Sequence, residues 1–288
     1  MMWHQVEQAI SDFQQDSFQI ESKQVVSGGD ISQAYCISGQ NQMYFVKIND
    51  LTFFDNFRAE ALALNSLALT NTVSTPKVID LGLSKAHTYL ILEFVEFSQG
   101  SDRAWFDAGC QLAQLHQVSR QPMFGFEDNN FIGKTPQFNR WQNNWSTFFS
   151  EQRIGYQLEL LAEKQIKIAD IDEVVALVHN LLKPRKLDAC LLHGDLWRGN
   201  IGFSQNQFFL YDPACYYGDY ETDLAMTELF GAFPQAFYQG YYSITEKEPG
   251  YEKRRDIYNF YHILNHANIF AGSYIDQAKQ MLRSIAQL

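Results

Sequence analysis

The amino-acid sequence predicts an α+β protein with a small, mainly antiparallel-sheet N-terminal part and a larger, mainly helical C-terminal part. Short β-like apolar runs recur through the first 95 residues, and long helical periodicities dominate after residue 102. Between them, the segment 95–101 is polar and marks a shift in composition. We therefore expect two domains, at 1–95 and 96–288.

The N-terminal part opens with an amphipathic helix predicted over 2–16. A second helix is predicted over 57–69, closed by Pro76. Strands are predicted at 18–21, 31–37, 43–48, 77–83 and 88–94. Gly28 and Gly29 predict a tight turn between the first two strands.

The C-terminal part is predicted to be helical, with Ser101 as an N-cap of its first helix. Residues 119–140 contain Pro and Gly breakers, and such a long loop is often functional or packed as a lid. Residues 191–211 are predicted to be a polar loop flanked by short apolar runs. Helices are predicted over 102–118, 141–164, 171–182, 222–229, 235–242 and 251–270.

Composition restricts the possible partners. The 288 residues carry a formal net charge of -11, which argues against a nucleic-acid binder or an anionic-membrane binder. It leaves room for an anionic ligand, because a few local cations or a metal can reverse the field inside one cleft. The sequence shows neither a membrane span nor a signal peptide, so we expect a soluble cytoplasmic protein. Its four cysteines lack the short spacings of zinc or redox sites and are expected to be mainly buried thiols.

The most informative segment surrounds Asp195. Asp195 and Asn200 are five residues apart, and Asp212 follows 12 residues later. This is the separation of the Asp and Asn in the catalytic loop of kinases, with Asp212 placed like the metal-binding Asp of D-F-G. Phosphoryl transfer needs one carboxylate to orient the attacking hydroxyl, and a carboxylate and an amide oxygen to hold Mg²⁺ on the phosphates of ATP. For any one of these residues, a turn-capping role would be the simpler interpretation.

The N-terminal part supplies matching partners. Lys47 lies within an apolar strand, and Glu60 follows 13 residues later in the predicted helix. Their order fits the ion pair that holds a lysine against the α- and β-phosphates. Taken separately, Lys47 is typical of a lysine that extends to solvent, and Glu60 of a solvated helical glutamate.

Two further segments are candidates for nucleotide binding. Gly28 and Gly29 lie where a phosphate-covering loop is expected, although the segment is not G-x-G-x-x-G and fits an ordinary hairpin turn as well. Glu93, Phe94 and Val95 end the last predicted N-terminal strand, where a kinase hinge would offer backbone groups to adenine.

These residues lie within longer matching stretches, and the chain resembles the fructosamine kinase family, also called ketosamine kinases. The family belongs to the aminoglycoside phosphotransferase-like branch of the protein-kinase-like fold. The matching stretches are His193-Gly194-Asp195-Leu196-Trp197, Gly199-Asn200, the run from Asp212 to Asp219, the run from Asp223 to Phe230, the run from Ile132 to Gln137, and Leu264-Asn265-His266.

The resemblance implies a bilobal kinase that uses ATP and Mg²⁺ to phosphorylate the sugar 3-hydroxyl of ketosamines, which leads to amine release and deglycation repair. It implies ribulosamines, erythrulosamines or fructosamines as substrates. It also implies Asp195 as the catalytic base, Asn200 and Asp212 as Mg²⁺ ligands, and Lys47 with Glu60 at the phosphates. The hinge would then be formed by 93–95.

Acceptor binding is less well defined by the sequence. Trp197 and His266 are candidates for the sugar side, Trp197 either stacking on the ketose or bracing the loop, and His266 either binding substrate or satisfied within its helix. We expect His193, Asp219 and Asp223 to stabilise the catalytic loop through hydrogen bonds. Asp30 stands where several family members have a cysteine, so redox control through that loop is not expected.

Two alternatives remain open at this point. A related kinase could act on an aminoglycoside, choline or an amino alcohol with the same catalytic residues. A non-catalytic nucleotide-binding pseudokinase is the other, although such proteins usually lack at least one of the four residues Lys47, Asp195, Asn200 and Asp212. A protein kinase is disfavoured because the sequence lacks an A-P-E segment and a long activation loop. The oligomeric state is not indicated.

Overall fold

A five-stranded antiparallel sheet forms the N-terminal part of the fold. The computed structural model of the protein describes residues 2–26 and 32–288. The strands are β1 (Ser22–Val26), β2 (Gln33–Gly39), β3 (Gln42–Asp50), β4 (Val78–Leu83) and β5 (His87–Glu93), in the spatial order β1-β2-β3-β5-β4. Helix α1 (Met2–Gln14) covers one face through Val6 and Ile10, and helix α2 (Phe54–Leu69) covers the other through Phe57 and Leu64.

The C-terminal part is mainly helical and contains the two largest apolar clusters. Its long helices are α3 (Asp102–Val118), α6 (Ile171–Leu182), α7 (Glu221–Leu229), α8 (Gln235–Tyr242), α9 (Tyr251–Phe270) and α10 (Ser273–Ile285). Between α3 and α6, a continuous helical rod is formed by α4 (Trp145–Thr147), a π-helical segment (Phe148–Gly155) and α5 (Tyr156–Glu163).

Three two-stranded ladders lie in this helical part. Hairpin β6–β7 (Asn130–Ile132 and Thr135–Gln137) occupies the predicted irregular loop and packs against helix α2. Strand β8 (Cys190–Leu192) pairs with β11 (Tyr216–Gly218), and β9 (Ile201–Ser204) pairs with β10 (Gln207–Leu210). These pairings bring the ends of the segment 193–215 together.

The predicted helical boundaries of α3, α6, α8 and α9 are confirmed, and Ser101 Oγ accepts a hydrogen bond from the Ala104 amide as the predicted N-cap. The strand predicted at 18–21 is wrong. The amides of Phe18 and Ile20 are bonded by the side chains of Ser11 and Glu7 of helix α1, so they are not available to a β-ladder.

Two more predictions need correction. The polar loop predicted over 191–211 contains strands β9 and β10, joined by Gln205 and Asn206, both at positive φ. Such a turn matches the twist of a hairpin. Helix α10 was not predicted. All four cysteines are free, and Cys36, Cys190 and Cys215 are buried as expected. Within residues 2–26 and 32–288, no helix has the length and apolar character needed to cross a membrane.

Helices α3 and α8 approach each other closely through two glycines. A Cβ atom on Gly240 would lie 1.9 Å from the Phe106 carbonyl oxygen, and one on Gly109 would lie 2.0 Å from the Phe237 carbonyl oxygen. Each glycine therefore receives the backbone of the opposite helix. The packing of these helices depends on the absence of a side chain at both positions.

Replacing Gly240 with alanine should therefore destabilise the protein, although alanine is the better helix former. The added methyl group must displace backbone, and overpacking of this kind costs about 1–3 kcal/mol. Gly155→Ala is the matched control, because its Cβ would meet only a Val175 methyl at 3.1 Å and the Ser150 carbonyl at 3.4 Å. Chemical denaturation of both variants measures the difference, and equal stabilities would contradict this description of the α3–α8 contact.

Candidate active site

Lys47 points from strand β3 towards helix α2. Side chains alternate along a strand, so Lys47 shares a face with Phe45, which packs against the α2 cluster, while Val46 and Ile48 pack on the α1 side. The Lys47 ammonium lies 2.7 Å from Glu60 Oε1, and each of these side chains is 15% exposed. The ion pair predicted from the order of strand and helix is present.

Asp212 is the second partner of Lys47 and lies 165 residues later in the chain. Burial would lower the pKa of Lys47, but Asp212 and Glu60 together raise it above its ordinary value. Burial raises the pKa of Glu60, whereas Lys47 holds the pKa of Asp212 below its usual range. At neutral pH Lys47 therefore remains a cation between Glu60 and Asp212.

Asp195 lies near enough to Asp212 for the two carboxylates to interact electrostatically. Its Oδ2 accepts a hydrogen bond of 3.0 Å from Asn200 Nδ2, which also donates to the Asp195 carbonyl at 2.9 Å. Burial, and to a smaller extent the charges of Asp212 and Asp223, raise the pKa of Asp195 to about 7, although the Asn200 bond acts to lower it. A carboxylate with such a pKa can exchange a proton near neutral pH.

The backbone around Asp195 is held by buried side chains. Asp223 accepts hydrogen bonds from the amides of His193 and Gly194, and His116 Nε2 approaches the same carboxylate at 3.3 Å. His193 Nδ1 accepts from the Asp195 amide, so its Nε2–H donates to the Tyr211 carbonyl at 3.0 Å. His193 thereby joins the Asp195 loop to the residue before Asp212.

The stabilising roles expected for His193 and Asp223 are confirmed, but the one expected for Asp219 is wrong. Asp219 is fully buried and pairs with Arg185 at 2.7 Å and with the Tyr258 hydroxyl at 2.7 Å. It therefore stabilises the packing of helix α9. His116 was missed, because a single histidine in an apolar helix carries no sequence signal of its partner 107 residues away.

Asp212 has an unusual backbone. Its φ of 54° lies in the left-handed region, which is rare for a residue other than glycine. Gly194 also has a positive φ, and a Cβ there would lie 2.1 Å from the Ala214 carbonyl oxygen. The Asp195 loop and the Asp212 segment are thus in backbone contact, and strained residues of this kind persist where the surrounding structure determines them.

Of the two segments predicted to bind nucleotide, the structure describes only the hinge at 93–95. Glu93 ends strand β5, and its amide donates to the Lys77 carbonyl, while Phe94 and Val95 begin the connection to helix α3. Gly28, Gly29 and Asp30 lie outside the described residues.

Trp197 and His266 lie on either side of Phe230. The ring of Phe230 stacks on His266 at 4.6 Å between centroids and meets Trp197 edge-on at 6.1 Å. Nδ1 of His266 is buried and has no hydrogen-bond partner in the described part of the chain, and burial lowers the pKa of this imidazole to about 4. The interpretation of His266 as a histidine with its hydrogen bonds satisfied within the helix is therefore wrong for Nδ1. Phe230 was not predicted to belong to this group. We call Trp197, Phe230 and His266 the aromatic wall.

The donor set suits Mg²⁺ in a nucleotide complex. No group of three or more His, Cys, Asp or Glu residues that could hold a metal occurs within 2–26 and 32–288. Mg²⁺ usually takes one or two protein oxygen ligands and completes its shell with phosphates and water. The Asp212 carboxylate and the Asn200 amide oxygen, whose amide nitrogen is already used, fit that requirement.

Comparisons with known proteins agree with this geometry. The sequence model of the fructosamine kinase family matches residues 2–287. A probable ketoamine kinase of Synechocystis sp. is 46% identical over 287 residues, which cover 99% of this chain and 97% of that protein. A Haemophilus somnus protein, provisionally named a fructosamine-3-kinase, has a crystal structure with a TM-score of 0.94 and 34% identity, covering 98% of this chain and 97% of that one.

The fold extends to more distant kinases. An aminoglycoside phosphotransferase, solved with ADP and hygromycin B, superposes with a TM-score of 0.63 over 98% of both chains at 14% identity. This likeness concerns the fold alone. The predicted protein-kinase-like α+β fold is confirmed.

His262, one turn before His266 on helix α9, should make the fold sensitive to acid. The side chain is 5% exposed, and burial lowers its pKa from 6.5 to about 3. Below pH 6.5 the unfolded chain therefore binds a proton that the folded chain does not, and stability falls as the pH falls. Between pH 7 and pH 5 this costs about 2 kcal/mol.

Denaturant titrations at the two pH values measure this loss. His262→Gln should reduce it by about 2 kcal/mol, whereas His87→Gln, at an exposed position, should leave it in place. An unchanged pH dependence in His262→Gln would contradict the assignment.

Proposed function

Because the chain belongs to the fructosamine kinase family, we propose that it transfers the γ-phosphoryl group of ATP to the 3-hydroxyl of a ketosamine. The observation that carries this proposal is that Asp195, bonded by Asn200, lies near enough to Asp212 to feel its charge, while Asp212 and Glu60 both pair with Lys47. Ribulosamines, erythrulosamines and fructosamines are the substrate class. The 3-phosphate product is unstable and releases the amine, which gives the enzyme a role in deglycation repair.

Asp195 acts on the acceptor. Its carboxylate accepts a hydrogen bond from the attacking hydroxyl, directs the oxygen towards the γ-phosphorus and takes up the proton. As the new P–O bond forms, the bond from the γ-phosphorus to the β,γ-bridging oxygen breaks and ADP leaves. The Asn200 bond fixes the carboxylate rotamer, and Asp223 and His193 fix the backbone beneath it. A pKa near 7 allows the same group to release the proton after each turnover.

Lys47 acts on the nucleotide. Its ammonium, oriented by Glu60, neutralises charge on the α- and β-phosphates. Asn200 and Asp212 would hold Mg²⁺, which would supply neutralisation of the negative charge on the phosphates of ATP. Glu93, Phe94 and Val95 offer backbone groups to adenine. Gly28 and Gly29, outside the described residues, remain the predicted phosphate-binding turn.

The aromatic wall binds the acceptor. Trp197 stacks on the ketose or on its amine carrier, whose positive charge favours an aromatic face. His266, stacked on Phe230 beside Trp197, borders the same acceptor site.

The nucleotide and acceptor sites lie between two lobes. Residues 1–95 cover the nucleotide and residues 96–288 carry the catalytic loop and the acceptor site. The enzyme acts in the cytoplasm on small glycated amines or glycated proteins.

A coupled assay for ADP release tests the proposed function. The panel contains ribulosamines, erythrulosamines, fructosamines, an aminoglycoside and choline, each with ATP and Mg²⁺. We expect turnover with at least one ketosamine. Turnover with only the aminoglycoside or choline would identify a related kinase, and Mg²⁺-dependent ATP binding without any turnover would identify a pseudokinase; either outcome contradicts the proposal.

Asp195→Asn is the matched variant for the same assay. It keeps the shape of the side chain but cannot accept the proton, so kcat should fall by about a hundredfold or more with little change in the KM for ATP. The control is Asp188→Asn, at an exposed position outside the cleft. A near-normal rate in Asp195→Asn would exclude this residue as the base.

A further inference from the structure

Arg153 is a buried cation that the catalytic cleft does not explain. It lies in the π-helical segment Phe148–Gly155 and is 0% exposed. Its guanidinium lies over the rings of Tyr216 at 4.1 Å and Phe148 at 4.5 Å, which compensates part of the lost hydration. Its closest polar contacts are neutral oxygens, the Phe138 carbonyl at 2.5 Å and Asn139 Oδ1 at 2.6 Å.

From Asn139 a chain of side-chain amides leads towards the active site. Asn139 Nδ2 donates to Asn130 Oδ1 at 3.0 Å, and Asn130 Nδ2 donates to the Cys215 carbonyl at 2.7 Å. Gln137 Nε2 donates to the same Asn130 oxygen at 2.7 Å and to the Ala214 carbonyl at 3.1 Å. We call Arg153, Asn139, Asn130 and Gln137 the amide relay.

The two ends of the relay fix its direction. A guanidinium can only donate hydrogen bonds, and a backbone carbonyl can only accept them. Asn139 must therefore turn its oxygen to Arg153, and Asn130 must turn its nitrogen to Cys215. Bonds aligned in this way polarise one another in a buried setting, so the positive charge of Arg153 strengthens the hold on the terminal carbonyls.

Those carbonyls belong to the segment that positions Asp212. Ala214 follows Asp212 by two residues, its amide donates to the His193 carbonyl at 2.8 Å, and its own carbonyl contacts Gly194. A shift of Ala214 would therefore move Asp212 relative to Asp195. The left-handed backbone of Asp212 requires such support from its surroundings.

The relay also reaches the N-terminal part. Asn130 and Gln137 are the ends of hairpin β6–β7, and β6 packs against helix α2, which carries Glu60. On the other side, the Tyr261 hydroxyl donates to Gln137 Oε1 at 2.6 Å. The hairpin is thus held between helix α9, the Asp212 segment and the helix that orients Lys47.

We propose that the amide relay consists of positioning residues for phosphoryl transfer: it holds the carbonyls of Ala214 and Cys215 and thereby sets Asp212 in the geometry for binding Mg²⁺–nucleotide opposite Asp195. The inference rests on the proposed function for its effect on turnover. Its effect on nucleotide binding does not depend on the identity of the acceptor.

Asn139→Asp separates positioning from folding. The new carboxylate gives Arg153 an ion-pair partner in place of the lost amide. It cannot donate to Asn130 Oδ1 or to the Asp128 carbonyl, so the relay is broken. Asn129→Asp is the matched control: Asn129 is exposed in the same loop, and it uses only its oxygen, to accept from the Asn139 amide, which the acid preserves.

Calorimetric binding of the ATP analogue AMP-PNP, with and without Mg²⁺, is the primary measurement, with melting temperature and ketosamine kinetics beside it. In Asn139→Asp we expect Mg²⁺-dependent affinity and kcat to fall by about tenfold relative to Asn129→Asp, with an unchanged ketosamine KM and a similar melting temperature. Equal Mg²⁺-dependent affinity and equal kcat in the two variants would overturn the proposal.

A second variant covers the case in which Asn139→Asp does not fold. Tyr261→Phe removes only the hydroxyl that orients Gln137, and it should weaken Mg²⁺-dependent binding in the same direction by a smaller factor; no change would overturn the proposal. If the native protein phosphorylates no ketosamine but the binding difference persists, the proposed function fails and the relay stands.

Discussion

One ammonium group, that of Lys47, determines how the two parts of this protein meet. It comes from the central strand of the N-terminal sheet, is oriented by Glu60 from the single helix on that face, and reaches Asp212 in the C-terminal part. Three segments far apart in the chain therefore converge on one buried positive charge. Because burying an unpaired charge is costly, any arrangement that took both carboxylate partners away from Lys47 would be disfavoured.

This local pairing explains how a chain of net charge -11 can belong to a kinase family. The global charge says nothing of the interior, where Lys47 places one cation between two carboxylates. Asp195, at a distance from that cation, keeps a raised pKa because burial and other carboxylates dominate its surroundings. Two neighbouring carboxylates thus differ in pKa, since that of Asp212 is lowered beside Lys47 and that of Asp195 is raised.

The sequence was sufficient for features that depend on local pattern. Apolar periodicity and the cap at Ser101 placed the long helices, and the spacing of Asp195 and Asn200 singled out two residues that a hydrogen bond joins. It failed where distant residues decide the outcome, as at 18–21, where side chains of helix α1 take the backbone amides. The contacts of Arg153 could not be predicted either. Nothing near it in the sequence reveals that side-chain amides connect it by hydrogen bonds to a backbone segment about 60 residues away.

The position of the transferred phosphoryl group tests the central claim most directly. Phosphorus NMR with proton correlation, applied to a reaction of the protein with ATP, Mg²⁺ and a ribulosamine, identifies the carbon that carries the new phosphoester. The account predicts a phosphomonoester coupled to the proton on the third carbon of the ketose, formed before the amine is released. A phosphoester on another carbon, or inorganic phosphate as the sole product, would contradict it.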